Sequence, residues 1–219
     1  MRVLVIDTAL DACTAAVFED GRALSVRTEI MARGHSERLG GFVRDAVAEA
    51  GGGFEALHRI GVTVGPGSFT GLRVGLAFAQ GLGAALERPV VGVSTLAALA
   101  WSADDGRGAT AAVIDARRGQ VYLQLFRDGA PASEPQALEV EAAARLAAMG
   151  GPWRITGSGS ALVGGTPDAA TTPDAGALAA LASVFDPATN PPRPLYLRAP
   201  DAIPPTRLPG QARPPAPVP

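Results

Sequence analysis

Residues 65–75, GPGSFTGLRVG, gather the side chains and backbone types best suited to chemistry; they follow a short apolar run and open a helical stretch. Small residues before a helix can cradle an anion on backbone N–H groups. Glycines can adopt backbone conformations closed to other residues, and a bulk-free helix face can admit another helix at close range. Helical numbering favours the last use. Gly71, Gly75, Ala79 and Gly83 form one i+4 ridge, and Ala77, Gly81 and Ala85 form a second. A glycine inside a helix costs about 1 kcal/mol relative to alanine, so close packing, within the chain or against a partner, has to offset the four in this one.

Asp7 and Asp115 each end an apolar run, a position from which a carboxylate can serve a metal-bound nucleotide. The simpler reading, that each accepts hydrogen bonds from its own turn, is favoured, because no phosphate-binding lysine or second carboxylate accompanies them. All 19 cationic residues are arginine, which excludes a Walker-type loop and Schiff-base chemistry. Cys13 is the single cysteine, so an intramolecular disulfide, a zinc ribbon and a CxxC pair are excluded. His35 and His58 are the only histidines. With one thiol between them and the metal-ligand minimum, they argue against a metal site, and no well-formed GxSxG elbow accompanies them.

The elements that must position these residues are legible in an internal repeat. Val-Ile-Asp, ten residues, then Phe-x-Asp-Gly occurs at 5–21 and again at 113–129. Asp-Gly turns hairpins, so each copy predicts a strand meander, and the two predict two lobes. GPGS at 65–68 and GSGS at 157–160 are a weaker echo of the same duplication. Apolar residues at Leu39, Phe42, Val43, Ala46, Val47 and Ala50 predict a helix over 36–50. Further helices are expected over 70–86, from Ser94 or Thr95 onward, over 141–149 and over 174–185, with a strand over 89–93. Polar residues 104–108 suggest a lobe boundary.

The expected organisation is therefore an α/β chain with a first lobe over 1–105, a second over 106–199, and a proline-rich tail over 200–219, partly disordered. Twelve of the 19 prolines lie in the last 34 residues, and only LYLR at 195–198 is suited to pairing or packing there. The chain has 219 residues, net charge −2 and 47% apolar residues, a globular balance without a basic nucleic-acid footprint. Four apolar residues between Arg2 and Asp7 are too few for a signal peptide, and 70–86 falls short of the ~20 residues of a membrane span. A cytoplasmic protein with no membrane association is expected.

Taken in order, VLVIDTALDACTAAVFEDG, RGHSERL, GPGSFTGLRVGLAFAQGL, VVGVSTLAALA, VIDARRGQVY and PLYLR resemble the TsaB family, the non-catalytic subunits of bacterial tRNA threonylcarbamoyladenosine synthesis. The resemblance implies a two-lobed actin-like (ASKHA) fold. It implies a partner or activating subunit, itself not an enzyme, that binds the paralogous TsaD transferase, with the ATPase TsaE joining. The reaction served is threonylcarbamoyladenosine formation at position 37 of ANN-decoding tRNAs, with tRNA contacted only indirectly. TsaD-like proteins carry a metal-binding HxxxH whose histidines would fall on Thr95 and Leu99, neither of which replaces imidazole.

No catalytic, cofactor or metal residues are therefore expected. TsaB-like helices corresponding to 36–50 and 70–86 pack against TsaD or against a second copy as a homodimer. The residues expected at that contact are His35, Leu39, Phe42, Val43, Ala46, Gly71, Leu72, Gly75, Leu76 and Ala79. The alternatives are an independent ASKHA-type phosphotransferase and a glycoprotease-like metallopeptidase.

Overall fold

The computed structural model describes residues 1–149, 151–167 and 170–198. The tail expected over 200–219 lies outside the described residues.

The first repeat folds as the meander β1 (Arg2–Asp7), β2 (Ala12–Glu19) and β3 (Arg22–Ile30). Asp20 and Gly21, at φ 49° and 81°, make the β2–β3 turn. Helix α1 (His35–Ala50) leads to β4 (Arg59–Gly65), parallel to β1; α2 (Phe69–Leu86) then leads to β5 (Val90–Ser94), parallel to β4. The sheet order is β3-β2-β1-β4-β5. Side chains on β1 alternate between its two faces: Leu4 and Ile6 pack with α1 and α2, while Val3 and Val5 join the opposite cluster. Both faces are covered, which is why RVLVID reads as a continuous apolar run.

Helix α3 (Thr95–Asp104), capped by Ser94 Oγ on Ala97 N, carries the chain into the second repeat, β6 (Ala109–Arg117) and β7 (Gln120–Arg127). Two short strands pair with β7: β8 (Ala130–Pro131) at its end and β9 (Gln136–Glu139) at its start. Together they occupy the place of β3. The ladder breaks between them, and Ser133 fills the gap, its Oγ accepting from Leu125 N at 3.0 Å and its carbonyl from Gln124 Nε2 at 3.0 Å. Helix α4 (Val140–Ala148) and β10 (Arg154–Thr156), parallel to β6, complete the copy. Antiparallel, antiparallel, helix, parallel is the order in both halves, so the duplication read from the sequence is a duplication of topology. The architecture is α/β, two sheets that repeat one plan.

The two copies diverge after their fourth strands. Where the first builds the 18-residue α2, the second makes a single 3-10 turn, Ser160–Val163. The chain then crosses back: α5 (Ala175–Val184) places Leu178, Leu181 and Ala182 against Val3, Val5, Ala16 and Phe18 of the first sheet. Gly61 of β4 leaves the room Ala182 occupies. Arg59 Nη1 donates to the carbonyls of Ala182 (2.7 Å), Ser183 (3.2 Å) and Phe185 (2.8 Å), satisfying acceptors at the helix end. Residues 175–184, placed in the second lobe by the 106–199 boundary, thus pack on the first. Helix α3 packs between the sheets, Leu96 and Leu99 meeting Ala112, Ile114 and Phe126.

Among the described residues, α2 alone is long and apolar enough to cross a membrane. One face of it, including Gly71, Leu72, Gly75, Leu76, Ala79 and Gly83, is packed in the core, as in the interior helix of a folded domain.

Candidate functional site

Two features bring candidate residues together: the cleft between the lobes and the outward side of α1 and α2. The cleft encloses about 570 Å³. It is lined by the β1–β2 turn (Ala9, Leu10, Asp11), the loop before α2 (Gly67, Ser68), the β6–β7 turn (Asp115, Ala116, Arg117), Ser158 and Arg198.

Asp7 and Asp115 occupy equivalent positions in the two repeats but differ in access: Asp115 lines the cleft and Asp7 lies behind it. Asp7 Oδ1 accepts from Ala9 N (2.9 Å) and Thr63 Oγ1 (2.7 Å), and the residue is 1% exposed. Its Oδ2 is buried without a hydrogen-bond partner. Burial raises the Asp7 carboxyl above its ordinary value, against the opposing pull of Ala9 N–H, the Thr63 hydroxyl and the charge of His35. Asp115 Oδ1 accepts from Arg117 N at 2.7 Å and Oδ2 from Arg117 Nη1 at 3.1 Å, and its side chain remains 25% exposed. Each carboxylate thus accepts the N–H two residues onward in its own turn, the simpler of the two sequence readings.

The first-lobe carboxylate is sealed by α2. A Cβ on Gly71 would overlap Thr8 O, one on Gly75 would overlap Thr8 Oγ1, and one on Gly67 would overlap Ala9 O. Thr8 Oγ1 in turn donates to Gly71 O at 2.8 Å. Gly83 faces Val90 in the same manner. The first small ridge therefore serves the chain's own sheet.

The remaining chemistry-bearing residues are built into the fold. His35 is buried with Nε2 3.2 Å from Ala12 O, and His58 Nδ1 accepts from Arg2 N at 3.1 Å. Cys13 lies in the core, and burial chiefly, with the nearby charges of Asp7 and Glu29, pushes its thiol up to about 11. Thr95 and Leu99 are fully buried, Leu99 in the interlobe cluster and Thr95 with an unpartnered Oγ1.

Of the residues expected at a partner contact, His35, Leu39, Val43, Ala46, Gly71, Leu72, Gly75, Leu76 and Ala79 are buried within this chain; Phe42 is half-buried. These side chains are committed to the chain's own core, and the other side of both helices is the exposed one. That side carries the second small ridge. Ala77, Gly81 and Ala85 are exposed, and Phe78 lies over Gly40 of α1, 3.8 Å from where a Cβ would stand. An added Cβ at Gly41 or Gly81 would meet nothing within 4 Å. Two helix-interior glycines thus have no reason within the chain, each at a cost of about 1 kcal/mol. The sequence displayed both ridges; only the position of the sheet tells which is free.

Comparison with known proteins is consistent with this geometry. Residues 26–163 match the family described as TsaD, tRNA N6-adenosine threonylcarbamoyltransferase. The Escherichia coli protein named tRNA threonylcarbamoyladenosine biosynthesis protein TsaB is 40% identical over 129 residues, 58% of this chain and 55% of that protein. The match thus spans about half the length of that relative. An uncharacterized Mycobacterium tuberculosis protein is 38% identical over 92% of this chain and 94% of its own length. The solved structure of YeaZ, the same protein as TsaB, from Pseudomonas aeruginosa superposes with a TM-score of 0.75 at 33% identity, over 90% of this chain and 99% of that one. On this fold, these motifs and these relatives, the chain belongs to the TsaB family, within the group that the TsaD family model describes.

Proposed function

We propose that this chain is a non-catalytic subunit that binds and activates a TsaD-like transferase through the outward side of α1 and α2. The reaction it serves is threonylcarbamoyladenosine formation at position 37 of ANN-decoding tRNAs, in the cytoplasm, with a TsaE-like ATPase joining the assembly and tRNA held by the partner. The observation that carries the reading is the pair Gly41 and Gly81, which flank the seam where Phe78 lies over Gly40, with open space above each. Bulk-free positions on two adjacent helices let a second helix pair approach closely. In the absence of the transferase, the same side serves a homodimer. The sealed state of Asp7, 1% exposed beneath α2, disfavours an independent phosphotransferase, whose carboxylate has to reach its ligand.

The test is reconstitution. A TsaD-like enzyme assayed for threonylcarbamoyladenosine on unmodified tRNA should depend on this chain and fail with Gly81→Leu. Full activity of the transferase without the chain would overturn the reading.

A further inference from the structure

Residues 190–198, NPPRPLYLR, hold three prolines, which bar a helix and an interior strand and favour an extended path. The segment takes that path along the first lobe. Asn190 O accepts from Gly92 N (2.9 Å), Pro192 O from Gln80 Nε2 (2.6 Å), and Leu195 N donates to Val64 O (2.7 Å). Two strand glycines make room for its backbone: a Cβ on Gly92 would stand 2.6 Å from Pro191 O, and one on Gly65 2.9 Å from Leu195 O. Tyr196 then lies on Phe69, ring centroids 5.5 Å apart, and Leu197 enters the interlobe cluster of Leu96, Ile114 and Phe126. The last described residue, Arg198, reaches the second lobe, donating to Gln120 Oε1 and to Arg117 O.

The turn it reaches is unlike its counterpart. The first lobe makes the corresponding β1–β2 turn through residues 8–11, none of them at positive φ. The β6–β7 turn runs Arg117, Arg118, Gly119 at φ 62°, 56° and 77°. Two arginines in the left-handed region are strained, and such strain persists where neighbours over-determine it. The neighbours here are Asp115, which accepts from both Arg117 N and Nη1, and Arg198.

We propose that residues 190–198 are a latch between the lobes, with Arg198 its releasable end. Bound to the first lobe along its length and to the strained turn at its tip, the segment sets the width of the cleft, which Arg198 itself lines. Release at Arg198 lets the β6–β7 turn relax and the lobes swing apart, a hinge motion carried by packed elements.

Cys13 is buried, so spin labels on Thr28→Cys and Glu134→Cys report the interlobe distance in the full chain, with amide exchange measured in parallel. The latch predicts one narrow distance in the parent chain and a longer, broader distribution in Arg198→Ala. It also predicts amide exchange roughly tenfold faster confined to 115–121 and 65–69. Arg198→Lys should restore the distance in part, and Arg118→Gly, which relieves the strained turn, should leave it narrow. An unchanged distance in Arg198→Ala would overturn the proposal, as would faster exchange spread evenly over both sheets, the mark of general destabilisation.

Discussion

The two lobes begin from one pattern and end with different surfaces. Both fold a three-stranded meander, a helix and a parallel fourth strand, and both place a glycine-serine loop after that strand. The first lobe then grows 18 residues of helix and the second a single turn. Asp7 is sealed under that helix, whereas Asp115 stays partly exposed and pairs with Arg117. The element built after the fourth strand thus decides whether the carboxylate at the end of the first strand is accessible. The same helix supplies the exposed ridge proposed to meet a partner. In the first lobe a buried acid and an exposed small-residue ridge are consequences of one added element.

The largest expected effect comes from closing the gap that α2 needs. Gly71→Val places bulk on Thr8 O and should cost about 3 kcal/mol or more, an overpacking loss, read as a lower urea midpoint; Gly157, pressed on Val113 O in the second lobe, should behave alike. Stability unchanged in Gly71→Val would mean that α2 does not seal the first lobe. Next comes Gly81→Leu, which should weaken transferase binding by roughly a hundredfold, about 2.7 kcal/mol. Its own unfolding free energy should rise by up to about 1 kcal/mol, since a helical glycine is removed.

A smaller and pH-dependent effect separates the two carboxylates. The Asp7 carboxyl is raised above its unfolded value, so folding favours its protonated form. Its contribution is complete below the ordinary carboxylate range and is lost as pH rises through the raised value. Urea titrations across pH should therefore show the parent chain losing stability relative to Asp7→Asn over that window and holding a constant difference below it. A flat difference throughout would contradict the burial argument. The smallest effect is local: Arg118→Gly should raise thermal stability by about 1 kcal/mol, because glycine meets no penalty at positive φ. Gly21→Ala in the β2–β3 turn, where φ is 81°, should lower it by a similar amount.

The duplication was legible because Asp-Gly turns at matched spacing are a backbone requirement, and both turns stand where the pattern put them, at φ 49° and 81° and at 49° and 76°. Helices were legible from apolar spacing to within a residue or two, His35–Ala50 for 36–50 and Phe69–Leu86 for 70–86. Which side of those helices stays exposed was not. Both i+4 ridges of α2 lack bulk, and periodicity places residues on a face without saying which face meets the sheet. The crossing of α5 back to the first lobe was equally hidden, because its near-uniform apolar sequence fits either sheet. Nor did the sequence announce the left-handed Arg117–Arg118 turn, since arginine carries no turn preference and the neighbours that hold it lie far along the chain.

The central claim is that α1 and α2 turn one glycine ridge inward for folding and the other outward for a partner. Light scattering after size exclusion, on the chain alone and mixed with a TsaD-like transferase, tests it most directly with Gly81→Leu alongside. The parent chain should pass from a homodimer to an assembly containing the transferase, while Gly81→Leu stays monomeric, folded and separate. A Gly81→Leu chain that assembles as readily as the parent would contradict the account.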